Sequence, residues 1–189
     1  MTAPAARLLT AIAQLRQTGK PLRIAVDGRC AAGKTTLAEA LHAQTGCAVF
    51  HMDDFFLRPE QRTPERFAEP GGNVDRERFL EEVMLPLTRG EPVSLRRFDC
   101  HTMALWPAQT VAPAEITVVE GTYACHPALW DFYDLHVFLT VSRETQLRRL
   151  ENRPGTDVEM FLSRWIVLEE RYFSAFDLAR RCEVCICTE

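Results

Sequence analysis

The spacing of apolar residues along this chain switches repeatedly between helical and extended periods, and each switch predicts an element. Leu8, Ile12 and Leu15 recur at helical spacing, so an amphipathic helix is expected from about Ala5 to Gln17. Arg7 followed by Leu8 to Ala13 faintly resembles a leader peptide, but Gln14 and Arg16 cut that apolar run short. Leu22, Ile24 and Val26 suit a short buried strand, and a helix follows from Thr35 to Ala43. A second strand, Ala48 to Met52, ends at Asp53-Asp54. Leu57 to Gly72, with Pro59, Pro64, Pro70, Gly71 and Gly72, reads as a loop or lid. Asp75 is placed to N-cap a helix whose apolar positions are Phe79, Leu80, Val83, Met84 and Leu87.

Pro92 to Phe98 reads as a short strand or hairpin arm, Ile116 to Val119 as a β-branched strand ending at Glu120-Gly121, and Leu135 to Val141 as another strand. Ser142 caps a helix that ends at Pro154-Gly155, and Thr156 with Glu159 forms a capping box for a long helix. The stripe Val158, Phe161, Trp165, Leu168, Tyr172 and Phe176 predicts burial of that helix against the sheet rather than a base-stacking surface. Cys182 to Cys187 closes the sheet. Strand alternation there makes Cys185 and Cys187 core residues, and the cluster lacks a second ligand pair at zinc spacing.

Strands alternating with helices imply an α/β fold with a parallel sheet and right-handed crossovers. With 189 residues and no dividing linker, residues 1–189 read as a single domain, with lid or acceptor-binding insertions at about 57–74 and 96–112. A net charge of −4 without clustered Lys and Arg argues against a nucleic acid partner, and no run of 18 apolar residues offers a membrane span. Seven scattered cysteines fit a reduced, cytoplasmic setting better than a disulfide framework. A homo-oligomer is compatible with the sequence.

The chemistry concentrates at three strand ends. Gly28, Arg29, Cys30, Ala31, Ala32, Gly33, Lys34 and Thr35 satisfy G-x-x-x-x-G-K-[ST], between a strand and a helix that continues through Thr36. Such a loop turns its N–H groups inward around a polyphosphate, adds the lysine charge at the outer phosphates and offers the threonine hydroxyl to Mg²⁺. ATP and Mg²⁺ are therefore the expected cofactors. Ligands of open parallel sheets gather beyond the carboxyl ends of the strands, where Asp53-Asp54 and Glu120 also sit. Asp53 is the candidate base toward an acceptor hydroxyl, and Glu120 the second carboxylate near the metal with Thr35. Arg149 and Arg153, one turn apart, could close over the phosphoryl group, the bland alternative being a solvated face paired with Glu144 and Glu151. His51 and His101 have no evident partner and are assigned structural roles.

The set Asp27-Gly28…Gly33-Lys34-Thr35-Thr36, His51-Met52-Asp53-Asp54-Phe55-Phe56 and Val118-Val119-Glu120-Gly121 resembles the uridine kinase branch of phosphate-loop small-molecule kinases, which includes nicotinamide riboside kinase. The likeness runs from about Leu22 through the long helix. It implies a three-layer P-loop nucleoside triphosphate hydrolase fold with a small lid, and an ATP-dependent kinase acting on a small-molecule hydroxyl such as the ribose 5′-OH of a nucleoside. It further implies that Asp53 is the base, that Lys34 and Thr35 handle ATP and Mg²⁺, and that Arg149 and Arg153 belong to a lid. The family's sugar-binding aspartate falls on Asp75, with Asp54, Phe98 and His101 in the acceptor region. Two departures stand out. The base-reading tyrosine, aspartate and histidine are matched only by Phe98-Asp99-Cys100-His101, without the tyrosine hydroxyl and with the histidine displaced. Ala31 stands where many relatives carry glycine, which restricts the loop if that position needs positive φ. The rival expectations are a non-nucleoside acceptor, such as pantothenate or a sugar acid, and a nucleotide-binding regulatory module without turnover. No N-K-x-D segment suggests a guanine switch.

Overall fold

The computed structural model describes residues 3–189. Helix α1 (Ala3–Leu15) leads into strand β1 (Leu22–Gly28), the phosphate loop, α2 (Lys34–Thr45) and β2 (Ala48–His51). The segment after β2 carries two short 3₁₀ turns and α3 (Pro64–Ala68), which agrees with its proline and glycine content. Asp75 caps α4 (Arg76–Phe79) by accepting from Arg78 N at 3.1 Å, and the helix runs through a π turn, Leu80–Met84, into α5 (Leu85–Arg89). Two small antiparallel pairs follow: β3 (Val93–Leu95) with β6 (Gln109–Val111), and β4 (Phe98–Asp99) with β5 (Ala104–Leu105). The hairpin arm expected at Pro92 to Phe98 is thus present.

The remaining elements complete the main sheet: β7 (Ile116–Glu120), α6 (Pro127–Trp130), β8 (Leu135–Thr140), α7 (Arg143–Glu151), α8 (Val158–Met160) continuing through a π turn Phe161–Trp165 into α9 (Ile166–Phe176), α10 (Leu178–Arg181) and β9 (Val184–Cys187). Five strands pair in parallel in the order β2-β7-β1-β8-β9, so the strand that enters the phosphate loop lies at the centre. Its neighbours come late in the sequence, and the carboxyl ends of β7 and β8 flank the loop on either side. Alternate residues of β1 enter different cores. Ile24 and Val26 pack with Leu8, Leu37 and Leu41 from α1 and α2, whereas Ala25 packs with Phe50, Phe138 and Phe173 on the opposite face. Helices therefore cover both sides of a sheet whose central strands read as nearly continuous apolar runs.

Three expectations are corrected. The N-cap of α8 is Asp157, which accepts from Met160 N at 3.0 Å, not Thr156, because the carboxylate stands one residue nearer the first helical turn. Cys185 and Cys187 are exposed and Ile186 is the buried residue of β9, because this edge strand turns the opposite alternation inward. The stripe on the long helix divides: Tyr172 is buried, while Phe161 and Trp165 lie in the π turn and line a cleft instead of the sheet. No described helix is long and apolar enough to cross a membrane.

Gly28 ends β1 at φ 136, and a β-carbon there would collide with the backbone oxygen of Leu139. Gly28→Ala should therefore cost about 3 kcal/mol in urea unfolding, from combined overpacking and left-side backbone strain. His126 is buried, accepts from Ala128 N at 3.1 Å to cap α6, and lies parallel to the Tyr172 ring. Burial first, and then Arg76 and Arg66, lower its pKa to about 4. Its native form is neutral, so the unfolded chain binds more protons between the ordinary histidine value and that lowered one. Stability should fall as pH drops through this window, by up to about 3 kcal/mol. His126→Asn, which keeps a capping side chain, should flatten this part of a stability–pH profile.

Candidate functional site

The site is assembled around Asp27, the fully buried residue before the loop. Oδ1 accepts from Gly28 N at 2.6 Å and Tyr123 N at 3.2 Å, and Oδ2 from Cys125 N and Tyr172 OH, both at 2.8 Å. Burial, the largest influence, raises its pKa, and these donors oppose the rise. One carboxylate thus joins the end of β1, the turn after β7 and the helix α9. Tyr123 is held there at φ 81, a conformation disfavoured for a bulky residue.

Within the loop, Gly33 has φ 89 and Ala31 has φ 58, so the position where relatives carry glycine does take the left-handed conformation. Lys34 is buried, and its Nζ donates to Gly28 O at 2.7 Å, Arg29 O at 3.0 Å and Thr122 Oγ1 at 3.2 Å. The outer side of the loop is fastened to α9. Glu170 takes a 2.6 Å bond from Arg29 Nε, and buried Glu169 accepts from Cys30 N at 3.0 Å. Burial raises the Glu169 pKa, with Lys34 opposing.

At the tip of β7, buried Glu120 receives the Thr35 hydroxyl at 3.2 Å and the His51 ring Nδ1 at 2.6 Å, both on Oε1. His51 therefore has a partner, contrary to expectation, and that carboxylate raises its pKa. Asp53 opens into the same cleft. Asp53 is itself an exposed residue, and partial loss of hydration in the cleft raises its pKa, with Glu120 and Asp54 adding to the rise and Lys34 opposing it.

The cleft has a volume of about 1140 Å³ and brings Asp53, Glu120, Lys34, Thr35, Thr36, Arg149 and Arg153 together with the loop residues Cys30 to Gly33. Arg149 is fixed to the loop rather than solvated: its Nη1 donates to Ala31 O at 3.0 Å and Thr188 Oγ1 at 3.1 Å. Other expected residues lie elsewhere. Asp54 pairs with Arg97 at 2.8 Å, Asp75 is a buried helix cap, Phe98 is buried in β4, and His101 is an exposed loop residue; none of them lines the cleft. The cleft also contains residues the sequence reading passed over, among them Arg62, Asn73, Thr122, Tyr123 and Glu169. Three of these carried a signal. Thr122-Tyr123 follows the acidic strand tip after a single glycine, and Glu169 interrupts an apolar helix face four residues after Trp165.

Thr35 and Glu120 are hard oxygen donors side by side, the donor type Mg²⁺ takes when substrate phosphates complete its shell. Among the described residues no group of three or more His, Cys, Asp or Glu could hold a metal unaided.

The family model described as "AAA domain" matches residues 24–173 of the chain. The chain is similar to uridine kinase-like protein 3 of Arabidopsis thaliana, 25% identical over 183 residues that cover 88% of this chain and 39% of that protein. It thus spans about two fifths of that relative's length. A possible uridine kinase from Bacillus stearothermophilus superimposes with TM-score 0.68 at 21% identity, covering 95% of this chain and 99% of that one. A protein assigned as a fructose transport system kinase from Silicibacter sp. TM1040 gives 0.64 at 21% identity, over 98% and 99%. The expected resemblance and the flanked parallel sheet are both borne out.

Asp27→Asn tests the carboxylate at the centre of this arrangement. An amide has one acceptor oxygen, so its NH₂ must face two of the four donors. The variant should lose about 3 kcal/mol in denaturant unfolding, the cost of leaving buried donors unmatched. Wild-type stability would remove Asp27 from that role.

Proposed function

This chain belongs to the AAA domain family, and on that premise we propose that it transfers the γ-phosphoryl group of ATP to a hydroxyl of a small metabolite. The observation that carries the reading is one cleft holding the phosphate loop, Lys34 and two strand-tip carboxylates, Asp53 and Glu120. A pure nucleotide sensor has no use for the second carboxylate.

The loop N–H groups and the start of α2 offer the phosphates a ring of donors. Lys34 exchanges its contacts with Gly28 O and Arg29 O for phosphate oxygens. Thr35 and Glu120 would hold Mg²⁺, which neutralises phosphate charge when bound. His51 helps to fix the rotamer of Glu120 through the same Oε1 that meets the Thr35 hydroxyl. Asp53 accepts the proton of the acceptor hydroxyl as that oxygen bonds to the γ-phosphorus and the bond to ADP breaks; its raised pKa suits a proton acceptor. Arg149 and Arg153 bring positive charge to the loop side of the cleft.

The resemblance supports a nucleoside ribose as acceptor. A second reading, a non-nucleoside hydroxyl compound such as a sugar acid, is favoured by Phe98 and His101 standing outside the cleft and Arg62 lining it.

Lys34→Ala should lower turnover by about 100- to 1000-fold, as for loss of one preorganised donor to developing charge. Asp53→Asn should retain the thermal shift produced by a non-hydrolysable ATP analogue yet lower acceptor-dependent ADP release by about 100-fold or more. Undiminished turnover in Asp53→Asn would transfer the base role to another group.

A further inference from the structure

We propose that Arg62 sets acceptor specificity, and that the acceptor carries an anionic group, a carboxylate or a phosphate ester, in addition to the hydroxyl that is phosphorylated. The inference rests on the kinase reading above and adds the chemical class of its substrate.

Arg62 leaves the short turn that follows Leu57 and lines the cleft alongside Leu57 and Cys100. Its Nε donates to Leu57 O at 2.9 Å, and its Cζ stands 5.8 Å from the Phe98 ring centre. The guanidinium is therefore anchored through one edge. Its two Nη groups form no hydrogen bond to a carboxylate or carbonyl among the described residues.

The surrounding arginines make this notable. From residue 58 to residue 97, Arg58, Arg66, Arg76, Arg78, Arg89, Arg96 and Arg97 each have a carboxylate within ion-pair distance. Arg62 has none among the described residues, although Glu60 and Glu65 are close in sequence. The segment neutralises its cations except the one in the cleft. The Cys100 thiol, a weak neutral partner, is the side chain that meets this guanidinium, so its fork is not matched by an acid and keeps the geometry that pairs bidentately with a carboxylate or phosphate.

Electrostatics also fixes which way such an acceptor lies. Asp53 and Glu120 disfavour a further anion at the transfer point, while Lys34, Arg149 and Arg153 stand on the loop side, where the phosphates of ATP would take their charge. Cys100 lies within electrostatic reach of both Arg62 and Asp53, so the arginine and the base address one compartment. An anionic acceptor would place its charge on Arg62 and present its hydroxyl to Asp53.

The test uses the full chain with ATP, Mg²⁺ and acceptors in matched neutral and anionic pairs: pantothenol and pantothenate, glucose and gluconate, ribose and ribose 5-phosphate, with uridine as a further neutral compound. The carboxylate and phosphate pairs separate the two sources of the anion. For at least one pair the anionic member should lead by about 10-fold or more in kcat/KM. Arg62→Gln should abolish that lead by raising its KM roughly 10- to 100-fold, the loss of a charged hydrogen-bond pair, with far less change in kcat. Arg62→Lys, which keeps the charge but not the fork, should fall between. If neutral members or uridine are preferred, or Arg62→Gln leaves the preference intact, the kinase reading stands and the assignment of Arg62 is overturned. If no compound raises ADP release above the acceptor-free rate, the kinase reading fails and takes this one with it.

Discussion

A single buried carboxylate, Asp27, determines where the cleft can be. Removing such a group from water costs several kcal/mol unless every lone pair is met, and here four donors from three separate segments meet it. The donors are far apart in sequence, so the carboxylate is satisfied only when β1, the turn after β7 and α9 are docked together. Docking also sets the exit direction of Gly28 and with it the path of the phosphate loop. The left-handed backbone of Tyr123 persists because its N–H is one of those donors.

From that anchor the charges divide by position. Carboxylates on α9 hold the loop from outside, Glu170 through Arg29 and Glu169 through an amide of the loop itself. Carboxylates at the tips of β2 and β7 face inward, where the Thr35 hydroxyl and the His51 ring share Glu120. Lys34 is positioned by carbonyl oxygens rather than by an acid. Its charge is therefore not cancelled by a hydrogen-bonded carboxylate, as the proposed contact with phosphate oxygens requires. Asp53 and Glu169 both shift upward, chiefly through loss of hydration, with neighbouring acids adding a smaller push and Lys34 as the opposing charge.

How legible this was from sequence follows from the range of the interactions involved. The central strands, the loop and the acidic strand tips were readable because each depends on residues adjacent in the chain: a run of branched apolar residues, a glycine-bounded motif, a carboxylate where an apolar run stops. Asp75 is readable as a cap for the same reason, and as a buried one it does not line the cleft. His51 was misread because its partner is 69 residues away, across two parallel strands. Cys185 and Cys187 were misread because alternation gives the period of an edge strand but not which face turns inward. The π turn at Phe161–Trp165 shifts the helical register, and no rule of three and four anticipates it.

The two halves of the cleft therefore differ in what specifies them. The phosphate half is built largely from main-chain groups: loop amides, the carbonyls that hold Lys34, and a glycine that no β-carbon could replace. Such a half tolerates wide sequence change, and the architecture is kept across 95% or more of a chain 21% identical to these structural relatives, at TM-scores of 0.64 and 0.68. The acceptor half is built from side chains on short elements between β2 and β7, where one exchange alters the chemistry displayed without disturbing the sheet. Arg62, Asn73 and Cys100 belong to that half, and Phe98 and His101 lie beside it but outside the cleft. Under the proposed function, shared architecture consequently constrains the phosphoryl donor more strongly than the acceptor. The acceptor must be inferred from the charges and hydrogen-bonding groups this chain itself presents, and among those the guanidinium of Arg62, which has no carboxylate partner among the described residues, is the one proposed to separate neutral from anionic compounds.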